Sequence, residues 1–258
     1  MRAVRSDPRY STDFLMVPHC CLSKKSPPVL GKLSALALAG SIRKIVSHPE
    51  PMGKSEYINA CHGNATSAIR LYVWNIEASA ALWGGFSVLE VFLRNAMHRQ
   101  LAILASREDW WNASAITLHH EQAHMVAKAR VFVASSKGPS YSANDVVAEL
   151  TLGFWTSLLA NRYHQRLWVP ALNQAFPHWN GRRGVLQQRL ERLRRLRNRI
   201  AHHEPIFTRD LALDHADILE ILTSIDPAAR DWVAAESRLP TVITVKNDTI
   251  SGIRAPQF

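Results

Sequence analysis

A chain of 258 residues, 47% hydrophobic and 20% charged, is long enough to bury a sizeable core and has the composition of an ordinary soluble globular protein. Its 31 Lys and Arg against 21 Asp and Glu leave a formal net charge of +10, which points to polyanionic partners because each neutralised phosphate releases condensed counterions. Three cysteines without metal-type spacing, Cys20, Cys21 and Cys61, argue against a disulfide-built secreted domain and for a reducing, cytoplasmic compartment.

Residues 1 to 45 hold Pro8, Pro18, Pro27, Pro28 and no sustained periodicity. They read as a flexible N-terminal extension with one short helix near Leu33. The apolar stretch Leu33 to Ile42 has the composition of a signal-peptide core, but its distance from the start and the following Arg43-Lys44 argue against that role. Met16 and Met52 are alternative starts. No apolar run approaches the ~20 residues that cross a bilayer, so no membrane partner is expected.

From Ser67 the pattern turns helical. The run to Ala105 predicts two helices broken at Gly84-Gly85, the second with Phe86, Leu89, Leu93, Ala96, Met97, Leu101 and Leu104 on one stripe. Glu90 and Arg94 stand four apart on another face, with Asn95 beside them. Trp110-Trp111 falls in a turn. A helix is expected from Leu118 to Ala134, and Asn144-Asp145 can cap a further one through VVAELTLGFWTSLLA. After Gly181, Leu186, Leu190, Leu193, Leu196 and Ile200 step by 4, 3, 3 and 4, the period of a buried helical stripe, and Pro205 ends it. Another helix runs from Leu211 to about Ile225 with Leu213, Ile218, Ile221 and Leu222 apolar. TVITV, residues 241 to 245, reads as a strand beside a C-terminal tail, 237–258, without clear order. The fold class is all-α, a single helical domain over 46–236.

The helix from Gly184 carries Arg189, Arg192, Arg194, Arg195, Arg197 and Arg199, opposed within it only by Glu191, and runs into Asn198, His202 and His203. Its arginines are expected on the flanks and the outer face. A histidine with an intrinsic pKa near 6.5 exchanges protons at neutral pH, and an arginine fork grips phosphate. Together they supply what RNA cleavage needs without metal: a base for the ribose 2′-OH, an acid for the leaving oxygen, and a cation for the charge on phosphorus. The R-x-x-x-x-H spacing alone is weak, since it recurs at Arg43 to His48. The alternative is a solvated basic helix whose His202 and His203 cap its last carbonyls.

The string LRRLRNRIAHHEPIF resembles the signature of Abi-like (abortive infection) proteins of the HEPN superfamily. LYVWNIEASAALWGGFSVLEVFLRNAMHR is similar to the family's N-terminal helical pair, and Trp110-Trp111 and AELTLGFWTSLL to its middle. The likeness extends over roughly residues 55 to 235. It implies a HEPN-type helical bundle acting as a metal-independent endoribonuclease with no cofactor, in antiviral defence or as a toxin with an antitoxin or other regulatory partner. It also implies a homodimer with two motifs facing one scissile phosphate. By the same resemblance His202 is the general acid/base, Arg197 the phosphate-binding cation and Asn198 the residue that positions RNA or orients His202. His203 can equally point into the cleft. Glu90, Arg94 and Asn95 are implied as lining the same cleft, and the helix's own Arg192, Arg194, Arg195 and Arg199 are expected to add RNA contacts by their charge. Some relatives of this kind bind RNA or partners without cutting, so a binding or adaptor module is the second reading.

One rival motif is His120-Glu121-Gln122-Ala123-His124, a literal H-E-x-x-H that on a helix could hold zinc with Glu121 as base. Its extended form needs Gly and His where Ala127 and Arg130 stand, and Asp145 or Glu149 is the nearest candidate for a third ligand. Among the tryptophans, Trp74, Trp83, Trp155 and Trp168 are expected in the core, and Trp110, Trp111 and Trp179 at exposed breaks.

Overall fold

The computed structural model describes residues 54–138 and 140–257; the extension 1–45, its short helix near Leu33 and the Cys20-Cys21 pair lie outside the described residues. All regular structure among the described residues is helical. Ten α-helices are described: α1 (Lys54–Ala60), α2 (Ala65–Ala105), α3 (His120–Lys137), α4 (Ala143–Glu149), α5 (Leu152–Ser157), α6 (Arg183–Ala201), α7 (Leu211–Ile225), α8 (Pro227–Glu236), α9 (Leu239–Thr244) and α10 (Lys246–Ser251). Short 3₁₀ and π turns join them at Trp110–Asn112 and between Asn161 and Ala175.

At 1.5 Å per residue α2 is about 60 Å long, and α1, α7, α8, α9 and α10 all pack on it. The Asn64 side chain caps its first turn, accepting from the Ser67 N–H at 3.0 Å. Its buried residues Ala68, Leu71, Trp74, Ala78, Leu82, Phe86, Leu89, Leu93, Met97 and Leu101 step by three and four throughout, one continuous stripe. The break expected at Gly84-Gly85 therefore does not occur. Two interior glycines cost about 1 kcal/mol each relative to alanine, whereas burying Leu82, Phe86 and Leu89 in one register contributes about 1.5–3 kcal/mol apiece. Arg70, Glu77, Glu90 and Arg94 interrupt the helix in sequence, which is why no bilayer-length run shows by eye. By length and composition α2 is nevertheless apolar enough to cross a membrane.

Three further expectations give way to local chemistry. VVAELTLGFWTSLLA is two helices, α4 and α5, because the Thr151 hydroxyl accepts from the Phe154 N–H and starts a new helix there. Ser142 rather than Asn144 caps α4, in a reciprocal box with Asp145. TVITV is not a strand, since Thr241 to Thr244 lie in α9 and Val245 caps it: Leu239 and Val242 are buried against the core, and the Trp74 indole donates to the Val242 carbonyl at 2.8 Å. The C-terminal segment is ordered by the same packing. Arg254 pairs with the buried Glu77 at 2.9 Å and Arg70 donates to the Ser251 carbonyl at 2.9 Å. The boundaries of α7 match the sequence periodicity, although Leu213 is exposed rather than in the core.

Candidate nucleic-acid interface

The α6 stripe is buried as its period predicts: Leu186, Leu190, Leu193, Leu196 and Ile200 all face the core. That burial sets which way each arginine points, and most do not point outward to solvent. Arg189 and Arg192 turn to α7, where both pair with Asp217 and Arg189 also with Glu220. Arg194 donates twice to Glu191, at 2.9 and 2.6 Å, with Arg195 alongside at 3.5 Å. Arg199 donates to the Pro205 carbonyl at 3.0 and 2.7 Å. Of the flanking arginines assigned to RNA, Arg192 is thus a structural ion pair with α7 and Arg199 is a loop anchor. Arg195 remains an exposed cation.

Arg197 faces α2. Its Nε donates to Glu90 Oε1 at 2.8 Å, and its guanidinium carbon lies 5.3 Å from the centre of the Trp83 ring. Among the described residues nothing engages its two terminal nitrogens, which leaves the bidentate edge of the guanidinium for an anion. Arg94, one turn beyond Glu90 on α2, donates to the Ala148 carbonyl at the end of α4, and Asn95 beside it is half-buried. Arg197 thus bridges α6 to Glu90 of α2, while Arg94 ties the next turn of α2 to α4. Glu90 and Arg197, 107 positions apart in sequence, are brought together by the fold.

The helix ends four residues before Pro205, through backbone geometry of its own. The His203 N–H donates to Ile200 O at 3.1 Å and the Glu204 N–H to Arg199 O at 2.8 Å, the paired bonds of a Schellman turn. His203 occupies the left-handed position, φ 57°, where glycine is usual. His202 is the residue at the C-cap, about one and a half turns beyond Arg197. Both histidines are exposed. The following segment is tied down by three helices: Arg199 on Pro205 O, Asn75 of α2 accepting from the Ile206 N–H at 2.7 Å, and Lys246 of α10 donating to Phe207 O at 2.7 Å. The turn carrying the histidines is rigidly mounted. His203→Gly is expected to stabilise the fold by about 0.5–1 kcal/mol, the left-handed strain relieved less the extra chain entropy of glycine. A rise in Tm of about 2 °C in calorimetry checks it; a fall would mean that the His203 ring makes contacts outweighing its strained backbone.

The tryptophans redistribute. Trp83, expected in the core, is 42% exposed beside Arg197, and Trp110, expected at an exposed break, is fully buried with its indole donating to His98 Nδ1 at 3.0 Å. Trp111, Trp168 and Trp179 are half-buried. The only sequence signal for Trp83 is its position seven residues before Glu90, two turns along the same helix face.

His120 and His124 are exposed on α3, with nearly parallel rings 6.3 Å apart. No third ligand joins them: among the described residues there is no group of three or more His, Cys, Asp or Glu that could hold a metal. Asp145 is engaged by Lys137 and the Ser142 cap, which hold its carboxyl down to about 2. No protein-family model, curated protein or solved structure matches the chain.

Proposed function

We propose that the chain is a metal-independent endoribonuclease, an Abi-like HEPN-type domain acting in antiviral growth arrest or as the toxin of a toxin–antitoxin pair. The observation that carries the reading is Arg197: the fold orients it through Glu90, leaves its terminal nitrogens open, and sets it on the helix that ends in two exposed histidines. In the reaction a histidine takes the proton of a ribose 2′-OH, the 2′-oxygen bonds to phosphorus, and the bond to the 5′-oxygen breaks. That oxygen leaves with a proton from a second acid, giving a 2′,3′-cyclic phosphate and a 5′-hydroxyl. Arg197 holds the phosphate and offsets the charge that grows on it. His202 fills the acid/base role by resemblance, with Asn198 positioning RNA. A homodimer would bring a second histidine and arginine to the same phosphate.

A second reading, an RNA-binding or adaptor module that does not cut, is favoured by one observation. Among the described residues no side chain hydrogen-bonds the ring of His202 or His203, so nothing fixes either ring for proton transfer. Purified protein incubated with mixed cellular RNA in EDTA separates the two. Fragments ending in cyclic phosphate are expected. Salt-sensitive binding with intact RNA would favour the adaptor, and cleavage that appears only with added metal would count against both.

A further inference from the structure

We propose that Trp83 is a base-stacking platform for the nucleotide adjoining the phosphate held by Arg197, which makes this exposed tryptophan the substrate-positioning surface of the site. The inference rests on the proposed reading of that site as one for RNA. Trp74, Trp110 and Trp155 are buried, whereas Trp83, Phe132 and Trp232 are 42%, 57% and 55% exposed. Of these exposed rings, Trp83 is the one that carries the Arg197 guanidinium. The residues around it on the outer face of α2 are Ala80, Gly84 and Ser87, all exposed. Each is too small to shade the ring, and a Cβ added at Gly84 would meet nothing within 4 Å. The indole is left 42% exposed, with Arg197 over the ring.

Its orientation is also set in advance. The Arg197 guanidinium lies over the ring at 5.3 Å and is itself held by Glu90 at 2.8 Å, so the cation that grips phosphate and the surface that receives a base are locked to one another. A strand whose phosphate sits on the terminal nitrogens of Arg197 has its neighbouring base within one nucleotide of Trp83. Stacking there accepts any base, since every base presents a π-face. The site thus grips single-stranded RNA and sets where along the strand it is cut, without reading a particular sequence. The same outer face could pack against a protein surface. Arg197 beside it favours the polyanion, because closing an apolar contact over its open terminal nitrogens would desolvate a cation edge that has no partner there among the described residues.

The test uses the full chain as His202→Ala, so that RNA stays intact, with short single-stranded RNAs carrying the fluorescent base 2-aminopurine at successive positions. One position is expected to be quenched on binding. Adding Trp83→Ala should abolish that quenching and weaken binding roughly 5- to 150-fold, while Trp83→Phe keeps most of both. Because the ring is exposed, circular dichroism should show the alanine variant folded. Unchanged quenching and affinity in Trp83→Ala would overturn the platform alone, provided Arg197→Ala still weakens binding. Loss of affinity with the quenched position intact, together with a change of mass in sedimentation, would make Trp83 a protein contact instead. If the His202→Ala chain binds no RNA even at low salt, the platform and the RNA reading of the site fall together.

Discussion

His202→Ala is expected to slow RNA cleavage by about 10²- to 10⁴-fold, the loss that follows removal of a general acid or base. The thermal transition should stay where it is. His202 is exposed and its part in ending α6 is played by its backbone N–H, which donates to Asn198 O at 2.9 Å and which alanine retains. Arg197→Ala should cost about 10²- to 10³-fold, as for other lost charge-stabilising donors, and should also weaken substrate binding. Glu90→Gln is the informative companion. It keeps a hydrogen-bond acceptor for Arg197 Nε but removes the charge, so tighter RNA binding with slower cleavage is the expected split. Initial rates in EDTA with one defined RNA measure all three. Full activity in His202→Ala would shift the chemistry to His203 or remove it from this turn. His203→Gly then decides, because it deletes that ring while easing the backbone it sits on.

Asp217→Ala is expected to bring the largest loss of stability, about 3 kcal/mol, or a Tm lower by on the order of 10 °C. The Asp217 side chain is only 4% exposed and pairs with both Arg189 and Arg192. Its removal leaves Arg192 beside Asp214, which is already engaged by Arg209 at 2.7 Å. Arg189 keeps Glu220, and both arginines reach partly to solvent, which holds the loss at the low end for a broken buried pair. Chemical denaturation of the variant measures it. A loss under about 1 kcal/mol would mean that the α6–α7 seam is held by its leucines and isoleucines alone, and would return Arg192 to the candidates for RNA contact. Arg192→Met should by contrast leave RNA affinity close to that of the parent chain.

Glu90, Arg197 and Trp83 show why one part of this molecule can be read from its sequence and another cannot. The helical stripes of α2, α6 and α7 are legible because burial repeats with the 3.6-residue period, so Leu186 to Ile200 and Ile218 to Leu222 could be assigned to the core at sight. The turn carrying His202 and His203 is legible too, from a basic stripe that stops short of Pro205. Where each polar side chain points could not be read. Arg192, Arg194, Arg197 and Arg199 look equivalent along the chain, yet α7, a neighbouring turn, α2 and the Pro205 carbonyl take one each. Apart from Glu191, which is three residues from Arg194 on α6 itself, those partners are set by what packs on each side of the helix.

The same holds for the breaks. A glycine pair weakens a helix by an amount that local rules can state, but whether the helix survives depends on what its flanking leucines bury, and α2 runs straight through. TVITV has strand-forming residues, and β-preference is realised only when a neighbouring strand offers its backbone. Among the described residues there is none, so Leu239 and Val242 bury on α2 as a helix instead. The sequence by itself determined the all-α class, the core stripes and the R-x-x-x-x-H spacing of Arg197 and His202, because these follow from periodicity and residue chemistry within one segment. Tertiary structure alone decided that Glu90 meets Arg197, that Trp83 rather than Trp110 reaches the surface, and that Arg192 pairs with Asp217. These depend on contacts between residues far apart in the chain, which no local pattern encodes.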